Sequence, residues 1–170
     1  ETCSSYLTGL YSVISSIAKI GLFLVTSIST VMFPQIAAHR GDYLTQKKYL
    51  LKTCIYGSTL MIVYLVIFNL LKTHIVGLLY GEKYLPGTVF VFPISIFMLC
   101  IAIGGVIYQF FLASGRLKVF SILNLILAFM MVGTAYLLKS NISLCLWGWN
   151  VELFLVGIIC IVFIQKGENE

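Results

Sequence analysis

The stretch IYGSTLMIVYLVIFNLL, Ile55 to Leu71, limits the fold more than any other part of the chain. It is continuously apolar and shows no alternation of inward and outward residues, so it does not read as a strand of a membrane barrel. Comparable runs recur along the 170 residues, and together they bring hydrophobic residues to 60% and charged residues to only 10%. A water-soluble domain carries about a quarter charged residues, so this composition cannot supply a water-compatible surface. Inside lipid every backbone N–H and C=O must be satisfied within the protein, and apolar runs of about 20 residues do this as helices. The expected class is an all-α, polytopic integral membrane bundle.

Five spans are expected, at about 11–38, 50–71, 88–113, 119–138 and 144–164, forming a single transmembrane lobe over residues 1–170. Pro93 falls in the first turns of the third span, where a missing N–H costs least. The connections are short and hold most of the charge. Alternate connections share a side of the membrane. The first loop, the third loop and the tail together carry seven Lys/Arg (Arg40, Lys47, Lys48, Lys52, Arg116, Lys118, Lys166), against three (Lys72, Lys83, Lys139) on the other side. The basic-rich side is expected in the cytoplasm, which puts Glu1 outside and the C-terminus inside. Tyr80, Tyr84, Tyr136, Trp147 and Trp149 then fall near the outer interface, and Tyr43 and Tyr49 near the inner one, as headgroup-depth anchors. The chain opens at Glu1 without a methionine and close to its first span, so an N-terminal portion is expected to precede it.

The first span poses the functional question. LYSVISSIAKIGLFLVTSISTVMFP, Leu10 to Pro34, carries a lysine near its middle and no acidic residue. At about 100° per residue, Ser12, Ser15, Ser16, Lys19, Phe23, Thr26, Ser27 and Thr30 gather on one third of the circumference. Ile14, Leu22, Leu24, Val25, Ile28 and Val31 lie opposite, with Gly21 among them. The hydroxyls can bond back to their own helix, but an ammonium at mid-span costs about 2.5–3.5 kcal/mol on insertion scales and needs water, a counter-charge or an anion. Three readings fit it: snorkelling to the outer headgroups, pairing with an acid on another helix, or lining a hydrated substrate cavity, which the stripe favours. For the second, Glu152 is the only other ionisable side chain placed within a span, a candidate charge partner whose contact with Lys19 cannot be read from sequence.

Other signals are weaker. Ser121, Asn124 and Ala128 share a face of the fourth span, and Gly104, Gly105, Tyr108 and Gln109 sit in the third; small residues so placed favour close helix packing over cavity lining. Cys3, Cys54, Cys100, Cys145 and Cys160 are scattered, with no metal-ligand or disulfide spacing, so neither a metal site nor a cofactor is expected. No catalytic set can be assembled, which argues against an enzyme, and nothing points to nucleic acid.

GLYSVISSIAKIGLFLVTSISTVMFPQIA (Gly9–Ala37), IVGLLYGEKYLPG (Ile75–Gly87) and FLASGRLKVFSILN (Phe111–Asn124) resemble, in that order, segments of the polysaccharide flippases. The shared features are the Gly-x-Tyr start with its polar helix and Phe-Pro ending, the outer Tyr-Gly…Tyr loop, and the inner Ser/Ala-Gly-Arg-x-Lys loop. That family belongs to one superfamily with the lipid II flippase and the multidrug and toxin extruders.

The resemblance implies a two-lobe exporter of twelve or fourteen helices, of which this chain is most of the C-terminal lobe, its partners being membrane lipid, the missing N-terminal lobe and the substrate. It further implies a lipid-linked oligosaccharide substrate, carried on a polyprenyl diphosphate and flipped outward by alternating access in the cytoplasmic membrane of a bacterium or archaeon. Lys19, with Ser12, Ser16, Thr26 and Thr30, then falls on a cavity-lining helix, where cations hold the diphosphate. The rival readings are a cation-coupled multidrug exporter of the same superfamily, which would want acidic cavity residues, and a non-transporting membrane assembly subunit, which would keep the stripe dry.

Overall fold

The computed structural model describes residues 5–39, 41–115, 117–138 and 142–166. The basic residues Arg40, Arg116 and Lys139, the side chain of Lys166, and Cys3 lie outside the described residues. Five α-helices follow one another: α1 (Ser5–Ala38), α2 (Tyr43–Tyr80), α3 (Val91–Ser114), α4 (Leu117–Leu137) and α5 (Ile142–Lys166), with a 3₁₀ segment, Glu82–Phe90, leading into α3. No strand occurs among the described residues. Among the described residues four stretches are long and apolar enough to cross a membrane: Ser5–Ala38, Tyr43–Tyr80, Glu82–Ser114 and Ser143–Val162. A shorter apolar stretch, Asn124–Leu137, lies within α4. The chain is an all-α, multi-pass membrane bundle.

Its surface confirms the solvent. Leu70, Leu78, Phe129 and Leu137 are each at least 72% exposed, and dozens of other large apolar side chains point outward. In water such a surface would aggregate; against acyl chains it costs nothing.

Glycines end α2 and α3. Gly41, Gly81 and Gly115 all have positive φ, a region where an L side chain is strained. Gly115 closes α3 in a left-handed conformation, its N–H bonding to the carbonyls of Leu112 and Phe111. At the other junction the Asp42 carboxylate caps α2 by accepting from the Thr45 N–H at 3.1 Å. The hydrogen bonds from Thr45 hold the Asp42 carboxyl below the usual carboxylate range.

The helices outrun the expected spans, most of all α2, which covers 43–80 instead of 50–71. Charge marks where lipid should end, but a helix continues until its backbone is broken. Lys47, Lys48 and Lys52 therefore ride on the first turns of α2, and Lys72 and His74 near its last. Pro93 does lie in the first turn of α3, and it is buried.

α1, α2 and α3 form the tight part of the bundle, around Ile14, Ala18, Met61, Val91, Ile94 and Ala113, all fully buried. The α1–α2 contact is set by two glycine notches. Gly21 of α1 faces the Met61 sulfur and the Tyr64 ring so closely that an added Cβ would come within 2.6 and 2.7 Å of them. Gly57 of α2 receives Val25, 3.2 Å from where its Cβ would be. The Tyr64 hydroxyl then donates to the Ile17 carbonyl of α1 at 2.6 Å. Small residues at such crossings let backbones approach where no hydrophobic drive operates between helices.

The other ends are tied by side chains as well. Gln46 donates its amide to the Ile36 and His39 carbonyls at 3.3 and 3.1 Å, which caps the end of α1. The Tyr43 hydroxyl donates to the Ile164 carbonyl of α5, and its ring meets Phe110 of α3 edge-on. The C-terminal ends of α1, α3 and α5 thus gather at the N-terminal end of α2, the end that also carries Lys47, Lys48 and Lys52. At the opposite end Tyr80 meets Tyr84, and Trp147 meets Phe92. Trp149 is turned inward instead: its indole N–H donates to the Met131 carbonyl, and its ring packs on Phe97.

α5 packs along α3, and α4 lies mainly on α5, leaving a largely apolar cavity of about 570 Å³ between the three helices. Gly104, Gly105, Tyr108, Ser121 and Asn124 line it. Close packing was the favoured expectation for these residues, and the structure corrects it. A Cβ at Gly104 or Gly105 would meet nothing within 4 Å, so neither glycine mediates a crossing.

Gly21→Val is expected to destabilise the protein by about 1–3 kcal/mol through overpacking of the α1–α2 notch. Gly104→Ala, which projects into open space, should be neutral to slightly stabilising. Thermal unfolding of the purified variants in detergent checks both.

Candidate functional site

The α1–α2 notch fixes the rotation of α1 about its own axis. Leu10, Ile14, Ile17, Ala18, Gly21, Val25, Ser29, Met32 and Ile36 form its buried seam. Ser12, Ser16, Lys19, Phe23, Thr26, Ser27 and Thr30 lie on the far side, and every one of them is exposed. Phe23, the one aromatic ring in the stripe, is 72% exposed. The five residues singled out for a substrate cavity (Lys19, Ser12, Ser16, Thr26 and Thr30) are therefore brought together on one open face that no helix of this bundle covers.

Two details differ from the helical-wheel expectation. Ser15, counted in the stripe, is buried, because it sits at the edge that turns toward the neighbouring helices. Leu24 and Val31, expected on the packed side, are 42% and 62% exposed. The packed seam is narrower than half the helix, so apolar residues also flank the stripe on one side.

The stripe hydroxyls look after their own protons. Ser16 donates to the Ser12 carbonyl at 2.8 Å and Thr30 to the Thr26 carbonyl at 2.8 Å. Thr26 and Ser27 both donate to the Phe23 carbonyl at 2.9 Å. What remains facing outward is a row of oxygen lone pairs, which accept, and the Lys19 ammonium, which has three N–H donors. Such a face suits a ligand that brings both hydroxyl groups and negative charge.

Glu152 is not part of it. It lies on α5, buried at 8% exposure, and its Oε1 is hydrogen-bonded to the Thr134 hydroxyl of α4. Among the described residues no acid forms an ion pair with Lys19. The charge pairing weighed from the sequence is not brought about, because α5 packs on α3 and α4 while the stripe faces away from the bundle.

Thr134 carried no sequence signal as a partner for Glu152, since nothing in spacing links a hydroxyl on one helix to a carboxyl 18 residues later. Asn150 is buried too, donating to the Pro93 and Leu146 carbonyls at 3.2 and 2.9 Å and so clamping α5 to the start of α3. No group of three or more His, Cys, Asp or Glu that could hold a metal ion occurs among the described residues.

No family model, curated protein or solved structure matches the chain.

Because the stripe hydroxyls bond only within α1 and point outward, Ser16→Ala and Thr30→Val should leave thermal stability within about 0.5 kcal/mol of wild type. Thermal unfolding of the purified single and double variants in detergent checks this.

Proposed function

We propose that this chain is the C-terminal lobe of a polysaccharide-biosynthesis flippase, which moves a polyprenyl-diphosphate-linked oligosaccharide across the cytoplasmic membrane of a bacterium or archaeon by alternating access. One observation carries the reading: an unpaired lysine sits within a continuous hydroxyl stripe that is open to the outside of an otherwise apolar bundle. Left against acyl chains, that face would pay for its charge and gain nothing. Facing a hydrated groove between two lobes, it would meet a ligand suited to it.

The chemistry fits in parts. A diphosphate offers oxygens to the Lys19 ammonium as a charge-assisted pair. Sugar hydroxyls can donate to the outward oxygens of Ser16, Thr26 and Thr30. Desolvating a charged, hydroxyl-rich headgroup in hydrocarbon is prohibitive, so a polar groove with a fixed cation lowers the barrier while the polyprenyl chain stays in lipid. Rocking of two lobes about a central site would open that groove to each side in turn. The basic end, with Lys47, Lys48 and Lys52, would then face the cytoplasm, where the substrate is loaded.

The test is transport by the intact protein reconstituted in vesicles that contain a fluorescent polyprenyl-diphosphate sugar. Losing a hydrogen bond to a charged group costs about 1.5–3 kcal/mol. Lys19→Gln is thus expected to slow flipping by roughly ten-fold or more, with Lys19→Arg retaining most of the rate. Equal rates for wild type and Lys19→Gln would remove Lys19 from substrate handling, and the flippase reading with it.

A further inference from the structure

The cavity between α3, α4 and α5 is a second feature, one that the stripe does not explain. Its volume of about 570 Å³ falls within the range of sites that hold small ligands. Glycines make much of it. Gly104 and Gly105 on α3 and Gly157 on α5 line the cavity, and a Cβ added at any of the three would meet nothing within 4 Å. α5 packs along α3 and α4 lies mainly on α5, so a slot remains beside α3. Tyr108, Phe154 and Ile158 line it and are exposed, which opens the slot onto the lipid-facing surface.

Its depth follows from the helices that line it. α3 and α5 end, and α4 begins, at the basic end of the bundle. At 1.5 Å per residue, Ser121 and Asn124 stand about 6 and 10 Å from the start of α4. Cys100 on α3 and Leu153 on α5 lie about 20 Å from the ends of their helices. The slot thus covers roughly one leaflet of a hydrocarbon core about 30 Å thick, the leaflet at the basic end.

The chemistry changes along that depth. Lys118 of α4 is exposed and stands one turn before Ser121 on the same face. Next come Ser121 and Asn124, with Tyr108 of α3 at the depth of Asn124. Deeper in, the described lining is apolar, with Ile101, Ile103, Leu127, Leu153 and Phe154. A cation, then hydroxyls and an amide, then hydrocarbon is the order in which a phospholipid offers phosphate, ester carbonyls and acyl chain. Phosphate suits an ammonium, and ester carbonyls accept from hydroxyl and amide donors.

We propose that this slot is a phospholipid site. One acyl chain of an anionic phospholipid, from the leaflet at the basic end, lies along Gly104, Gly105 and Gly157, with its phosphate against Lys118. The chain supplies the contact between α3 and α4 that side chains leave unmade. A further helix fits the slot less well. Over the roughly 12 Å from Cys100 to Tyr108, a helix 10–12 Å across would fill roughly 1,000 Å³, well above the 570 Å³ of the cavity. A file of methylenes needs only about 4 Å of width. A polyprenyl chain has no ester to meet Ser121 and Asn124, and it outruns a slot one leaflet deep. A phospholipid is held here whatever the α1 stripe handles, so the site stands apart from the flippase reading.

Photolabelling of the intact protein tests it. The protein is placed in phosphatidylcholine vesicles with a small fraction of phosphatidylglycerol that carries a photoactivatable group midway along one acyl chain. Mass spectrometry then maps the labelled residues. Ile103, Leu153 and Val156 are expected to label several-fold above Leu51 and Ile55, which are exposed on α2 beside Lys48 and Lys52 and control for plain attraction to lysines. Gly104→Leu and Gly157→Leu each fill the slot and should remove the enrichment, so either serves if the other fails to fold. Lys118→Gln should lower it about five-fold, the worth of one lysine near anionic lipid. Unlabelled phosphatidylglycerol should compete, and a polyprenyl phosphate should not. Slot labelling no higher than at Leu51 and Ile55 would overturn the proposal, since bulk lipid, another helix or a second copy would then cover the slot. Enrichment that survives the glycine substitutions or Lys118→Gln would contradict it as well. Stronger competition by the polyprenyl phosphate would replace the phospholipid with a polyprenyl chain.

Discussion

Much of this structure depends on how α1 lies against α2. Two glycines, Gly21 and Gly57, remove side chains where the helices cross, and the Tyr64 hydroxyl reaches over to the Ile17 carbonyl. In lipid there is no hydrophobic gain from bringing two apolar helices together, so close packing and a cross-helix hydrogen bond have to supply the preference. They also fix the rotation of α1. Once Gly21 faces Tyr64, Ile14, Ala18 and Val25 must face the bundle, and the polar stripe must face away from it. The candidate site is thus a consequence of a packing contact on the other side of the same helix.

The energetics of that stripe are uneven. Its hydroxyls cost little anywhere, because a serine or threonine on a helix can return its proton to a carbonyl three or four residues back, as Ser16, Thr26, Ser27 and Thr30 do. Lys19 has no such recourse. Its charge is what makes an exposed polar face informative: an uncovered hydroxyl can tolerate lipid, but an uncovered ammonium wants water or an anion. Glu152 shows the opposite solution, a potential charge withdrawn into the interior with one hydroxyl for company. The two groups stay apart, on helices that solve the same solvation problem differently.

Much of this was legible in the residues. The apolar runs dictate a helical membrane bundle, and the 100° wheel on the first span already collects Ser12, Ser16, Lys19, Thr26 and Thr30 on one face. Ser15 was misplaced because a wheel gives angles without saying where a neighbour's edge falls. The long ends of α2 were missed because hydropathy reports lipid contact, whereas helices stop at Gly41 and Gly81. Gly104 and Gly105 read as packing residues, yet they line a cavity, because a glycine permits a close approach without requiring one. The Thr134–Glu152 contact was beyond reach, since it depends on which face of α4 meets α5 and no local pattern encodes that.

Cysteine accessibility measures most directly whether the face of α1 is wet. Single cysteines at Ser16, Lys19 and Thr26 in the intact protein, with native cysteines removed, would be treated with a membrane-impermeant thiol reagent from each side of the membrane in turn. Ile14, fully buried, and Ile62, 47% exposed on α2, serve as packed and lipid-facing controls. A hydrated groove predicts labelling of the three stripe positions from at least one side, and of neither control. Stripe positions as silent as Ile62 from both sides would mean that the face lies against lipid or a dry partner, which contradicts a substrate path there.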